Sequence, residues 1–201
     1  LGKVSSPCQS ALAGWRVLYL NCELSKDEVA QRIYRYVDGN FTAKLVRHLT
    51  VLNMNVGFSI EEVTNRFIDK VNWQDTKMLI VLDSINRAAD LSSEHDGSES
   101  NYWGLLRKWS MLAMQSRRHS YGDISWLIVS ELNRAKEVKG QSLEYIADMV
   151  IRLENTDMEN MARIDVAMSR STPSGLVGDG IFLRDHARSR FVGNEPDEAG
   201  G

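Results

Sequence analysis

The chain has 201 residues, 43% hydrophobic and 25% charged, with a formal net charge of −3. That suits a globular domain with a sizeable core and excludes a protein that coats nucleic acid through an all-basic surface, although local basic loops stay open. The two cysteines, Cys8 and Cys22, form no C-x-x-C pair, which fits a reducing, cytoplasmic setting; the four histidines lack ligand spacing, and the apolar runs are too short to span a membrane.

In chain order, the pattern first predicts a helix over 4–13, with Pro7 tolerable only in its first turn. Residues 16–21 read as a buried strand. A helix over 26–37 follows, with Ser25 as its cap and Glu28 completing a capping box. Residues 49–53 form a second strand candidate, and Ser59 with Glu62 starts a helix running to about 71. The continuous apolar run 78–82 is the clearest strand, as expected where both faces are covered. A polar loop over 92–101, an amphipathic helix over 102–116 and a strand over 123–130 come next. Residues 142–147 suggest a short helix and 148–153 a strand. The alternating segments 162–169 and 180–184, separated by Pro173, Gly175 and Gly178, signal a hairpin. Residues 193–201 are polar and acidic, the composition of a disordered tail. Apolar runs alternating with amphipathic stretches predict one α/β domain over 1–192, a mostly parallel sheet flanked by helices, closing in a C-terminal β-hairpin.

The polar residues that end these strands carry the chemistry. An apolar strand stopping at Asp83 has the form of a Walker B element, whose carboxylate holds Mg²⁺ at the ligand edge of an α/β sheet. Asp at a strand end also begins many ordinary turns. Glu23 follows the first strand, where a carboxylate could activate water or merely favour a helix start. Glu131 follows the 123–130 strand, at a position from which a polar group could sense a γ-phosphate. The loop after it sets Arg134, Lys136 and Lys139 against one Glu137, a basic segment able to touch a nucleic-acid backbone or simply solvated. Gly2-Lys3 lies one short helix before the first strand, where a phosphate-binding loop ends.

The order of these pieces resembles the RecA-type P-loop ATPases, most closely the DnaB-type replicative helicase domain, over Gly2 to Phe191. Val17-Leu-Tyr-Leu-Asn-Cys-Glu23-Leu-Ser25 is similar to the family's strand-then-Glu element, and Leu79-Ile-Val-Leu-Asp83 to its Walker B. Val129-Ser-Glu131-Leu-Asn-Arg134 resembles the Ser-Gln-Leu-Asn-Arg element. Ser142-Leu-Glu-Tyr-Ile-Ala-Asp148 resembles the stretch before a late strand, Ala167-Met-Ser-Arg170 the segment that reaches a neighbouring subunit's nucleotide, and Arg190-Phe191 the closing pair. The resemblance implies that the chain begins inside the P-loop. It implies ATP and Mg²⁺ as cofactors, Gly2 and Lys3 on phosphate, Asp83 on Mg²⁺, Glu131 near the γ-phosphate, Glu23 as catalytic base and Arg170 as a finger acting in trans. It further implies a homo-oligomeric ring, such as a hexamer, and single-stranded DNA held by Arg134, Lys136 and Lys139.

Three departures mark the chain. Glu131 replaces Gln, Met168 replaces a trans-acting Lys, and Val4 occupies the Mg²⁺-binding hydroxyl position, unless Ser5 serves after a shift. Asp83-Ser84-Ile85 and Leu143-Glu144-Tyr145 are also similar to RadA-like and KaiC-like ATPases, and the departures would suit a non-hydrolysing assembly subunit of the same fold.

Overall fold

A computed structural model describes residues 2–70, 77–92, 124–130, 147–155, 161–170, 179–185 and 190–193, with single positions between 94 and 112 and at 157–158; for 2–5, 155 and 179 onward only the backbone is described. The elements in order are α1 (Gly2–Leu12), β1 (Arg16–Asn21), α2 (Lys26–Tyr36), α3 (Ala43–His48), β2 (Leu49–Asn53), α4 (Ile60–Ile68), β3 (Met78–Asp83), α5 (Ile85–Leu91), β4 (Ile124–Ile128), β5 (Met149–Asn155), β6 (Met161–Ser169), β7 (Asp179–Asp185) and β8 (Arg190–Gly193). The described residues between 103 and 112 are also helical.

Two four-stranded sheets organise the chain. The first has the order β2-β1-β3-β4, all neighbours parallel. Its centre is apolar because both faces are covered. Leu18, Leu20, Met78, Ile80 and Leu82 pack on one side with Ile60 of α4, Ile85 and Ala88 of α5, and Leu105 and Trp109. On the other side Val17, Tyr19, Leu79 and Val81 meet Cys8 and Ala11 of α1, Val29 and Ile33 of α2, and Leu45 of α3. Alternate residues of one strand thus enter opposite cores, each fully buried aliphatic side chain contributing about 1.5–3 kcal/mol of transfer free energy. Both cysteines are buried free thiols.

The second sheet is an antiparallel meander, β5-β6-β7-β8. The predicted hairpin is its central β6–β7 pair, enlarged on one side by β5 and on the other by β8, an added strand that includes Arg190 and Phe191. A register shift between Val150 and Ile151 marks a bulge. Beyond it Arg152 lies opposite Asp165 and Glu154 opposite Arg163, so this sheet carries complementary charges on one face.

The helix starts follow local chemistry. Ser25 and Glu28 form the predicted capping box. At α4 only half of that motif is made: Ser59 accepts the Glu62 N–H, while the Glu62 carboxylate pairs with Arg66 one turn on. Helices α3 and α5 were not foreseen, although Thr42 and Ser84 cap them by accepting the N–H groups of Leu45 and Arg87. Helix α1 spans Gly2–Leu12 and not 4–13, so Pro7 stands beyond its first turn, where the missing N–H forgoes a helical hydrogen bond. The predicted helix over 142–147 lies outside the described residues. Among the described residues no helix is long and apolar enough to cross a membrane.

Candidate nucleotide site

Register decides which residues meet. The last rung of the parallel sheet aligns Asn21 of β1 with Asn53 of β2 and with Asp83 of β3. One residue further on, the Cys22 N–H donates to the Asp83 carbonyl at 2.7 Å, so the chain leaves the sheet at Glu23, beside the end of β3. Strand β4 reaches the same edge. Leu82 pairs with Ile128, the Val129 N–H donates to the Leu82 carbonyl at 3.0 Å, and the Ile85 N–H to the Val129 carbonyl at 2.9 Å. Four parallel strands therefore end together at the carboxyl edge, where open α/β sheets bind ligands.

Asp83 is fully buried. Its Oδ2 accepts the Tyr19 hydroxyl at 2.6 Å, across the rung between β1 and β3. Burial, then the adjacent Asp83 charge, pushes the Tyr19 hydroxyl well above its ordinary range, so it stays a donor and fixes the carboxylate. The Asp83–Ser84 peptide bond is cis. Glu23 is exposed, unlike Asp83. Cys22, between these carboxylates, is pushed up to about 12, first by burial and then by the Asp83 and Glu23 charges; it is a neutral packing residue, not a nucleophile.

Helix α1 packs on one face of this sheet. It joins β1 through the turn at 13–15, with Gly14 in the left-handed region at φ 99°, and its Cys8 and Ala11 pack on the β1 and β3 side chains. It thus runs back along β1. At about 1.5 Å per residue its 11 residues cover about 16 Å, close to the length of the strand, and carry the Gly2-Lys3 backbone toward the edge where Asp83 sits.

The remaining predicted residues divide into two groups. Glu131, Arg134, Lys136 and Lys139 lie outside the described residues, although Ser130, one residue before Glu131, donates to Asn86 Oδ1 at 3.1 Å and so ties the end of β4 to α5. Arg170 is exposed at the end of β6 in the second sheet, with its N–H on the Asp148 carbonyl at 2.7 Å; the register that unites Glu23 with Asp83 does not include it. Sequence reasoning missed Tyr19, Asn21 and Asn86, whose side chains hold the edge together. A polar residue inside an apolar strand, as at Tyr19, or closing one, as at Asn21, was the available signal.

A parallel sheet covered on both faces by helices, followed by antiparallel strands at the C-terminal end, is the RecA-like α/β fold. Solved structures share it at low identity. One solved ATPase domain superposes with a TM-score of 0.69 at 15% identity, covering 96% of this chain and 81% of that one. A DnaB-like replicative helicase, solved for its interactions with primase, gives 0.67 at 14%, covering 96% of this chain but 54% of its own, so the present chain spans about half of that protein. The KaiC-like protein PH0186 from Pyrococcus horikoshii gives 0.66 at 17%, covering 96% and 84%. No family model matches the sequence, and no curated protein matches it.

Proposed function

We propose that this chain binds ATP and hydrolyses it, and that a ring of identical subunits couples the hydrolysis to single-stranded DNA in the manner of a DnaB-type helicase in the cytoplasm. The observation that supports this reading most is the shared last rung of β1 and β3, which sets buried Asp83 beside the turn carrying exposed Glu23.

Asp83 suits Mg²⁺ by its donor chemistry: a hard carboxylate held by Tyr19 at a strand end, for an ion that takes one or two carboxylates together with substrate phosphates. When bound, that ion neutralises the phosphate oxygens during transfer. The chain's own groups supply the rest. Glu23 takes a proton from the attacking water, and Gly2 and Lys3 hold phosphate at the start of α1. Glu131, protonated or paired, stands near the γ-phosphate, since a bare carboxylate would repel it. Arg170 serves the nucleotide of the next subunit, which makes the oligomer part of the site. Arg134, Lys136 and Lys139 hold the DNA phosphates.

The similarity to a KaiC-like protein supports a second reading, an ATPase that regulates and does not unwind. Phosphate release from the full-length protein, measured with and without single-stranded DNA, separates the two. Stimulation by DNA that disappears when Arg134, Lys136 and Lys139 are changed to Ala supports the helicase; hydrolysis indifferent to DNA supports the regulatory ATPase. Absence of hydrolysis in the presence of tight nucleotide binding would indicate an assembly subunit.

A further inference from the structure

We infer that Asn21 is a positioning residue for Glu23: its buried carboxamide ties the turn carrying Glu23 to β2 and fixes where the base stands. The inference rests on the hydrolytic reading of the site.

Asn21 is only 2% exposed and closes β1. Its Nδ2 donates to the Leu24 carbonyl and to Asn53 Oδ1, both at 2.6 Å, and its Oδ1 accepts the Leu24 N–H at 3.1 Å. This orientation is self-consistent. Rotating the amide by a half-turn would set its oxygen against two oxygens and its nitrogen against an N–H. Both backbone groups of Leu24 are therefore held by one side chain. On the other flank of Glu23, the Cys22 N–H is fixed on the Asp83 carbonyl. Glu23 is thus the exposed residue of a turn clamped on both sides, once from the Asp83 strand and once from Asn21. Immediately after it, the Ser25–Glu28 capping box starts α2, so the clamp continues into a helix. The Asn53 limb makes β2 a strut for this turn. A base works only within hydrogen-bond reach of its water, and a displacement of about 1 Å costs on the order of a hundredfold in rate.

The test compares turnover and nucleotide affinity in the full-length protein for Asn21→Ala, Asn53→Ala, Glu23→Gln and the Asn21→Ala/Glu23→Gln pair. Asn21→Ala is expected to lower kcat on the order of a hundredfold with nucleotide affinity unchanged. Asn53→Ala, at an exposed site, is expected to lower kcat about fivefold, the worth of about one neutral hydrogen bond, and decides the matter if Asn21→Ala does not fold. In the Glu23→Gln background Asn21→Ala should cause no further loss, because both changes act through one group. An equal fractional loss in both backgrounds, or weakened nucleotide binding at unchanged kcat, overturns the inference. Inactive Glu23→Gln beside an unimpaired Asn21→Ala overturns it alone; wild-type turnover by Glu23→Gln removes the base assignment and the inference with it.

Discussion

Every residue of β3 in the parallel sheet is buried, whereas β5 of the antiparallel sheet leaves Met149, Ile151 and Leu153 at 48%, 56% and 46% exposure. The two regions solve the same backbone problem in different surroundings. The first sheet lies between two cores, so its central strands β1 and β3 are apolar on both faces apart from Tyr19, and their other polar residues stand at the ends. The second alternates, with Arg152, Glu154, Arg163 and Asp165 on one face and Ile151, Leu153, Ile164 and Val166 on the other. The ends of the doubly covered strands are where Asp83 and the Glu23 turn lie. Among the described residues the second sheet leaves the apolar face of β5 open to solvent, and Arg170, just after β6, is exposed as well.

The comparison breaks most directly at the edge itself. Glu23→Gln should lower hydrolysis by about 10²–10⁴-fold, the usual share of a general base, and leave nucleotide binding in place. Phosphate release and nucleotide titration on one preparation check both halves; turnover near the wild-type rate would detach the parallel edge from catalysis. Next in size is the contrast between the sheets. Ile80→Ala, at a fully buried position of β3, is expected to cost about 2–5 kcal/mol, and Ile151→Ala, on the exposed face of β5, no more than about 0.5 kcal/mol. Urea midpoints measure the pair, and equal costs would mean that the second sheet's apolar face is covered in solution.

Tyr19→Phe sharpens the picture from inside the first sheet. It keeps the ring and removes the hydroxyl that donates to Asp83, so the expected loss of about 1–3 kcal/mol comes from a buried carboxylate left with one bond fewer. A denaturation curve indistinguishable from wild type would show that the 2.6 Å contact does not hold Asp83.

How much of this was legible beforehand follows the same division. The strands of the parallel sheet announced themselves as apolar runs, and Asp83 and Glu23 stood out because polarity begins abruptly where those runs stop. What joins them is register, and register depends on tertiary pairing that no local pattern encodes. The Asn21–Asn53 and Tyr19–Asp83 hydrogen bonds link positions 32 and 64 residues apart, so they were invisible along the chain. Helices α3 and α5, of 6 and 7 residues, are too short for a helical period to emerge, although their caps, Thr42 and Ser84, were in plain view. In the second sheet the alternation of β6 gave the hairpin, but β8, with 4 residues, left too brief a pattern.

The smallest effect belongs to the α2 capping box, and its sign with pH can be worked out. The Ser25 N–H first, and its hydroxyl second, hold the Glu28 carboxyl below its ordinary 4.5. A lowered folded value means that the ionised carboxylate stabilises the native state. That contribution is fully present above 4.5 and is lost as pH falls through the lowered value. Ser25→Ala removes the hydroxyl but leaves the Ser25 position's backbone N–H, and the loss of the cap is expected to cost about 1 kcal/mol at neutral pH. The Ser25 oxygen also accepts the Glu28 N–H at 3.2 Å, a bond indifferent to the carboxyl's charge. Thermal midpoints of wild type and variant should therefore draw together as pH drops below 4.5 without meeting. A gap that widens in acid would mean that Glu28 is not what the Ser25 hydroxyl stabilises, and the clamp leading from Asn21 into α2 would end one residue sooner.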